Sequence, residues 1–129
     1  MLNEKCSHHG ISVTWQVLRK LEDAILQGCL VEEGFMYPTR QIMSLYNVSD
    51  KTAQRAIGFF HEYGFLYQVR GKGLKIESGT KDKILMARMI GFKNDIEYII
   101  HEARLLKVSN DELDDIIQLF HSNFPSISK

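Results

Sequence analysis

The sequence is poor in the residues from which disulfide-bonded and metal-binding proteins are built. Of its 129 residues only two are cysteines, Cys6 and Cys29. Two thiols without a second pair provide neither a disulfide framework nor a thiolate metal site. Cys29 follows Gly28, which we expect to end a helix, and we predict that Cys29 is a packing residue. We therefore expect no metal and no cofactor.

Long apolar runs are also absent. None approaches the roughly 18 residues of a membrane span, and the N-terminal stretch MLNEKCSHHG lacks the apolar core of a signal peptide. The composition, 44% hydrophobic and 25% charged, is that of an ordinary globular protein. We expect a cytoplasmic protein without a membrane partner.

The chain lacks the grouping of acid, base and nucleophile that an enzyme needs. His61 and His101 are isolated on predicted helices, without a second ligand at metal-binding spacing. Carboxylates crowd the start of the last predicted helix, where they favour the helix dipole. They are Asp111, Glu112, Asp114 and Asp115. We predict that the chain is not an enzyme.

The formal net charge is zero, but the charge is unevenly distributed. Six cations and two anions lie between Pro38 and Ile76, a local net charge of +4. Residues 1–37 and 77–129 each hold more anions than cations. A basic segment of this kind indicates a nucleic-acid partner, although a randomly mixed solvated surface would also fit the charge alone.

Apolar residues at three- and four-residue spacing predict a first helix over residues 13–27, ended by Gly28. Residues 1–11 show no periodicity, and we predict a flexible tail there. We expect three aromatic rings to lie in the core, with the alternative that Trp15 faces the C-terminal helices. The rings are those of Trp15, Phe59 and Phe60.

Two further helices follow in close succession. Pro38 and Thr39 open the first of them, with Thr39 as its cap, and Asn47 accepts the left-handed conformation that ends it. The side chains that we predict to turn inward are Ile42, Met43, Leu45 and Tyr46. The next helix starts at Ser49 and runs to about Tyr63. Two short helices joined by so brief a turn predict a helix-turn-helix.

Two short strand-like runs follow, residues 65–69 and 74–76. They are too short to be stable alone, so we expect the hairpin to pack on the helices. Arg70-Gly71-Lys72-Gly73 separates them, and its glycines permit a tight turn and a close approach of backbone to another molecule. A cationic hairpin beside a helix-turn-helix predicts a winged helix, whose third helix enters the major groove.

This loop has other interpretations. A nucleotide-binding loop would follow a strand and open a helix, whereas this loop joins two strand-like runs. A purely structural turn stays open. A docking edge for another protein would more naturally present apolar or aromatic residues than Arg70 and Lys72.

An ordered set of short motifs spans residues 13–76. Its elements are Ile25-Leu26-Gln27-Gly28-Cys29-Leu30, Gly34, Tyr37-Pro38-Thr39-Arg40, Val48-Ser49, Thr52, Arg55-Ala56, Gly64 and Arg70-Gly71-Lys72-Gly73. In order and spacing this set resembles the GntR-type winged-helix regulators. The resemblance implies that Arg40 holds phosphate, that the recognition helix starts at Ser49, and that Lys72 and Gly73 form the wing tip.

The chain departs from that family at several positions. Tyr37 and Pro38 stand where Pro and Ser or Thr are usual, and Leu74 stands where Thr is usual. Asp50 replaces a frequent Arg or Pro. Its carboxylate would either favour a cytosine amino group or cap the helix, so the operator cannot be transferred from the family.

We predict contacts to a double-stranded DNA operator from the second helix, the third helix and the wing. Lys51 and Gln54 are the expected base readers, and Arg55 is expected to reach phosphate. The whole predicted set is Thr39, Arg40, Ser49, Asp50, Lys51, Thr52, Gln54, Arg55, Arg70, Gly71, Lys72 and Gly73.

The rest of the chain predicts two helices that carry an apolar stripe. The first is one long helix or two halves meeting near Gly91, and a capping box at Ser109 opens the second. A second copy is the simplest partner for the stripe, with folding back onto the chain's own winged helix as the alternative. The predicted dimer residues are Ile84, Leu85, Met89, Ile96, Ile99, Ile100, Ala103, Leu106, Leu113, Ile116, Ile117 and Phe120.

We therefore expect a mostly α fold with a small β-hairpin (α+β), with the winged helix over residues 12–77 and a dimerisation tail over residues 80–125. The short tail resembles the YtrA subgroup of GntR-type regulators. The expected function is a homodimeric, sequence-specific DNA-binding regulator. A repressor is favoured because a bound dimer can block polymerase, and a protein-interaction winged helix is the alternative. The sequence leaves the operator and a small-molecule effector open.

Overall fold

A computed structural model describes residues 12–124, so the predicted flexible tail over residues 1–11 lies outside the described residues. The described chain is mostly helical with one antiparallel hairpin, as predicted. In chain order the elements are α1 (Val13–Gln27), α2 (Thr39–Tyr46), α3 (Asp50–Glu62), β1 (Leu66–Val69), β2 (Gly73–Ile76), α4 (Thr80–Leu105) and α5 (Asn110–Asn123).

Serine side chains begin three of the helices. The hydroxyl groups of Ser12, Ser49 and Ser109 each accept a hydrogen bond from a backbone N–H of the first turn of α1, α3 and α5. Ser109 forms the predicted capping box with Glu112. Each cap pairs an amide that would otherwise lack a partner in its helix.

The prediction of Thr39 as a cap was wrong. The residue before α2 is Pro38, which makes no side-chain capping bond, and Thr39 is already the first helical residue. Proline suits this place because its ring fixes an extended start without offering an amide that needs a partner. Asn47 ends α2 in the left-handed conformation, at φ 52°, as predicted.

The core is formed by one face of each of the first three helices together with the hairpin. Leu21, Ile42 and Phe60 are fully buried at its centre, and Ile76 closes it from the hairpin side. The whole buried apolar set is Val17, Leu18, Leu21, Ala24, Ile25, Leu30, Met36, Ile42, Ala53, Ala56, Phe60, Leu66, Ile76 and Ile84. α3 packs against both α1 and α2, which fixes the helix-turn-helix.

Several side chains predicted to be buried are at the surface. Trp15 and Phe59 stack on each other with ring centroids 6.0 Å apart, and both stay exposed. Leu45 is also exposed, and Ile42 is the residue that the short helix α2 buries. Cys29 is exposed, so it is not a packing residue. Helical spacing gives the direction of a stripe but not its width, and the three helical residues lie at its edge, whereas Cys29 lies beyond the end of α1.

The hairpin has a third, shorter neighbour that the sequence did not reveal. β1 and β2 pair antiparallel, with Leu66 opposite Ile76 and Val69 opposite Gly73. On the other side of β2, Phe35 pairs with Lys75 in an isolated bridge. Backbone hydrogen bonds from Met36 to Leu74 and from Ile76 to Gly34 extend this pairing. The connection between α1 and α2 thus braces the hairpin.

The chain divides into two compact units, one ending at Met86 and one starting at Ala87. Thr80 and Ile84, on the first turns of α4, are buried with the core of the first unit. The assignment of Ile84 to a dimer surface was therefore wrong. Its side chain is only 2% exposed within one chain and cannot meet a partner.

The second unit consists of the remainder of α4 and of α5. α4 is one continuous helix through Gly91, which answers the question that the sequence left open. No described residue from 85 to 124 is buried. The unit has no core of its own within the described chain.

Candidate nucleic-acid interface

The start of α3 presents a row of polar side chains to solvent. Lys51, Gln54 and Arg55 are exposed, while the neighbouring Ala53 and Ala56 are fully buried. The buried alanines hold their own face of α3 against the core, so the face that carries the polar side chains is directed toward solvent. The predicted base readers are therefore accessible.

The turn before α3 is ordered by its own side chains. The Ser49 hydroxyl accepts from the backbone N–H of Thr52 at 3.2 Å and donates to the Thr52 hydroxyl at 3.1 Å. These hydrogen bonds fix the first turn of α3. The Ser49 side chain is exposed and that of Thr52 is half-buried, and their contacts to DNA stay a prediction.

Asp50, the residue that departs from the family pattern, is paired along the helix. Its Oδ2 accepts a hydrogen bond of 2.7 Å from Nε2 of Gln54, one turn later. The two side chains therefore act together on the exposed face of α3. The i, i+4 spacing of a carboxylate and an amide is the sequence signal that would have revealed this pair.

Residues predicted to hold phosphate lie at the start of α2 and at the hairpin turn. Arg40 is exposed in the first turn of α2, beside the half-buried Thr39. In the hairpin turn, Arg70, Gly71 and Lys72 are exposed. All of these residues belong to the first compact unit, together with the start of α3.

The hairpin turn has the geometry that its glycines allow. Gly71 and Gly73 have φ angles of 75° and 125°, both in a region that residues with a Cβ seldom adopt. The backbone N–H of Lys72 donates to the carbonyl of Val69 at 2.9 Å and closes the turn. The cationic tip is therefore a tight, defined loop.

The wing (Leu66–Ile76) is tied to the segment before α2 by Glu33, a residue that the predicted site did not include. The carboxylate of Glu33 accepts hydrogen bonds from the hydroxyls of Tyr67 and Ser78. These bonds, with help from the charge of Lys75, lower the pKa of Glu33, while the bond to Glu33 raises the pKa of Tyr67. The neighbouring Glu32 accepts from the backbone N–H of Lys81 at 2.8 Å.

Phe35 is a second such residue. Its ring is 47% exposed and lies beneath the ammonium group of Lys75, which is 5.1 Å from the ring centroid. A cation in this position is attracted to the face of the ring. Lys75 is therefore engaged with Phe35, whereas Arg70 and Lys72 lie in the exposed turn.

The described residues offer no grouping of three or more His, Cys, Asp or Glu side chains that could bind a metal ion. Within the same part of the chain, no helix is both long enough and apolar enough to cross a membrane.

Solved structures resemble the chain over most of its length. A GntR family transcriptional regulator from Listeria monocytogenes is 20% identical, with a TM-score of 0.67, and the match covers 84% of this chain and 95% of that one. A GntR-family regulator from Bacteroides thetaiotaomicron, named as putative, is 25% identical with a TM-score of 0.63, covering 87% and 98%. The chain has the GntR winged-helix fold.

A transcriptional regulator from Oenococcus oeni also shares this fold, at 14% identity and a TM-score of 0.67, with 88% of this chain and 98% of that one covered. No protein-family model and no curated protein matches the sequence. Because the two GntR-family matches cover 84% and 87% of this chain, the similarity extends beyond the winged helix into the C-terminal helices.

Proposed function

We propose that the chain is a sequence-specific DNA-binding transcriptional regulator that acts as a homodimer. The observation that carries this proposal is the exposed polar face of α3 in the same unit as a tight cationic wing. Lys51, Gln54 and Arg55 suit base and phosphate contacts in a major groove. Arg70 and Lys72 suit phosphate contacts beside it.

A protein-docking wing is the second candidate, and one observation favours it. Phe35 puts an exposed aromatic ring beside the hairpin, as a docking surface would. One face of that ring is nevertheless occupied by the Lys75 ammonium group. The tip itself presents Arg70 and Lys72 and no apolar side chain. DNA is therefore the better partner.

The spacing of apolar residues along α4 supports the dimer. From Leu85 onward one series of them alternates at four and three residues, which gives the mean period of 3.5 typical of a coiled-coil seam, while Met86, Ile90 and Leu105 lie outside this series. These seam residues are Leu85, Met89, Phe92, Ile96, Ile99 and Ala103 of α4, together with Leu106, which directly follows the helix. Apart from the half-buried Ala103, all are exposed in one chain, as is Ile100 beside them.

α5 adds a second stripe with the same property. Leu113, Ile116, Ile117 and Phe120 recur at helical spacing, and none of them is buried. Exposed apolar surface of this extent marks an interaction site, and a second copy supplies an identical complement. The short helical tail fits the YtrA-like subgroup, and a two-fold dimer fits a palindromic operator at which it would act as a repressor.

The proposal is tested by the salt dependence of duplex binding. Arg40→Ala and Lys72→Ala should weaken binding to all duplexes alike, because phosphate contacts carry no sequence information. Each should lower the slope of log K against log salt by about 0.9 per protomer, the value for one lost phosphate contact. Lys75→Ala is the matched control, because its cation is engaged with Phe35 and its loss should leave the slope unchanged.

Two outcomes would contradict the proposal. If the unmodified protein bound no duplex more tightly than competitor DNA, sequence-specific recognition would be wrong. If Lys72→Ala changed the preferred sequence but not the salt slope, the wing would read bases instead of positioning the protein on phosphate.

A further inference from the structure

The pairing of Asp50 with Gln54 determines which atoms of the Gln54 amide face outward. Asp50 is the first residue of α3 and is held there by the Ser49 cap. Its Oδ2 lies 2.7 Å from Nε2 of Gln54. Both side chains are exposed on the polar face of α3.

The chemistry of the two groups permits only one orientation of this amide. An ionised carboxylate is an acceptor with no proton to donate, so it must face the amide NH2 group rather than the amide oxygen. Turning the amide over would set its oxygen against the carboxylate. One N–H is therefore used by Asp50, and Gln54 retains its other N–H and its Oε1 for a partner.

We propose that Asp50 is a positioning residue that sets the base preference of Gln54 to adenine. This inference rests on the proposed function, since it requires α3 to enter a major groove. Adenine presents an acceptor, N7, and a donor, the N6 amino group, which match the free N–H and Oε1 of Gln54. Guanine presents two acceptors, N7 and O6, which the fixed amide cannot both satisfy.

Asp50 therefore acts chiefly by lowering the affinity of Gln54 for guanine. An unconstrained glutamine can rotate its amide and direct both N–H groups toward guanine, whereas Gln54 would have to abandon its bond to Asp50 to do so. The carboxylate also repels the phosphates on either side of the groove. Asp50 thus lowers affinity for every duplex while it raises discrimination at one position.

The test measures relative affinities for the four bases at the position that Gln54 reads. This position is found first, as the one at which Gln54→Ala loses preference in a randomised duplex library. The set of proteins is then the full-length chain, Asp50→Ala, Gln54→Ala and the double variant. Glu62→Ala is the matched control, because it removes one exposed carboxylate from the same helix without touching Gln54.

We expect Asp50→Ala to bind duplexes in general more tightly but to lose preference for adenine over guanine by about tenfold, within the range of one bidentate base contact. In the Gln54→Ala background, Asp50→Ala should cause no further loss at this position, because the two residues act as one unit. Glu62→Ala should leave the base profile unchanged.

The inference is overturned if Asp50→Ala retains the profile of the full-length chain. It is also overturned if Asp50→Ala lowers the preference equally with and without Gln54, since Asp50 would then contact the base itself. Failure of the proposed function looks different: the full-length chain would then show no base preference at any position.

Discussion

The winged-helix unit buries many of its apolar side chains, whereas the tail leaves its apolar side chains exposed. The first unit buries residues from all three helices and the hairpin, with Leu21, Ile42 and Phe60 inaccessible to water. In the tail, Ile96, Ile99 and Phe120 remain between 45% and 54% exposed. The first unit gains hydrophobic stabilisation within one chain, whereas the described tail leaves its apolar side chains accessible to water.

The largest expected effect comes from a cavity in the core of the first unit. Phe60→Ala should lower the free energy of unfolding by about 3–5 kcal/mol, as is usual for a buried phenylalanine. Phe92→Ala, in the tail, should leave the unfolding of the winged helix unchanged because Phe92 is 60% exposed. Fluorescence of the single tryptophan, Trp15 in α1, reports this unfolding during denaturant titration. Equal losses in the two variants would remove the distinction between the units.

The next effect concerns the partner that the tail is proposed to have. Ile96→Asp should convert a dimer into a monomer in sedimentation, because it places an unpaired charge in an apolar seam. DNA affinity should fall by at least about tenfold, because the second winged helix of the dimer is lost. Asn94→Asp is the matched control, since it introduces the same carboxylate at an exposed position of α4 outside the seam. A full-length protein that sediments as a monomer would contradict the dimer.

Replacing a mid-helix glycine in either unit by alanine should have a smaller effect, and a stabilising one. A Cβ added at Gly58 in α3 or at Gly91 in α4 would meet no atom within 4 Å. Gly58→Ala should therefore stabilise the winged helix by about 0.5–1 kcal/mol through reduced backbone entropy. Gly91→Ala should raise the helical content of the tail instead, as measured by circular dichroism. A destabilising Gly58→Ala would contradict the open space that the structure shows beside this position.

The smallest effect is a pH dependence confined to the first unit. The pKa of Glu33 is lowered by hydrogen bonds from Tyr67 and Ser78, so its ionised form stabilises the folded state. That contribution is present above its unfolded pKa and is lost as the pH falls through the lower folded value. Glu33→Gln should be less stable than the unmodified protein near neutral pH, and the difference should shrink below about pH 4. A constant difference across the titration would exclude ionisation as the cause.

Sequence reasoning succeeded where the signal was local. The helix start at Ser49, the capping box at Ser109, the left-handed Asn47 and the glycines of the wing each depend on a few neighbouring residues. The continuous apolar periodicity likewise predicted α4, although Gly91 left one helix or two as alternatives. Local hydrogen bonding and backbone freedom are properties that a short stretch of sequence specifies by itself.

Sequence reasoning failed where the contact joined residues far apart in sequence, or where an apolar series in a helix continued from one unit into the next. Glu33 and Ser78 are 45 residues apart in sequence, and neither belongs to a motif. Phe35 was not connected to the wing for the same reason. Ile84 was assigned to the tail because the periodicity of α4 does not reveal where the core of the preceding unit ends. The Asp50–Gln54 pair was readable from its spacing, but each residue was considered alone.

The brace formed by residues 33–36 also bears on the order in which the unit folds. The contacts of α2 with α3 join neighbours in the chain, so they close short loops at low entropic cost. The bonds from Glu33 and Met36 to the far end of the hairpin close a much longer loop. We expect α2 and α3 to associate first and the wing to be fixed later. The same bonds should open most readily in the native state, so that amide protons of β2 exchange with solvent sooner than those at the centre of α3.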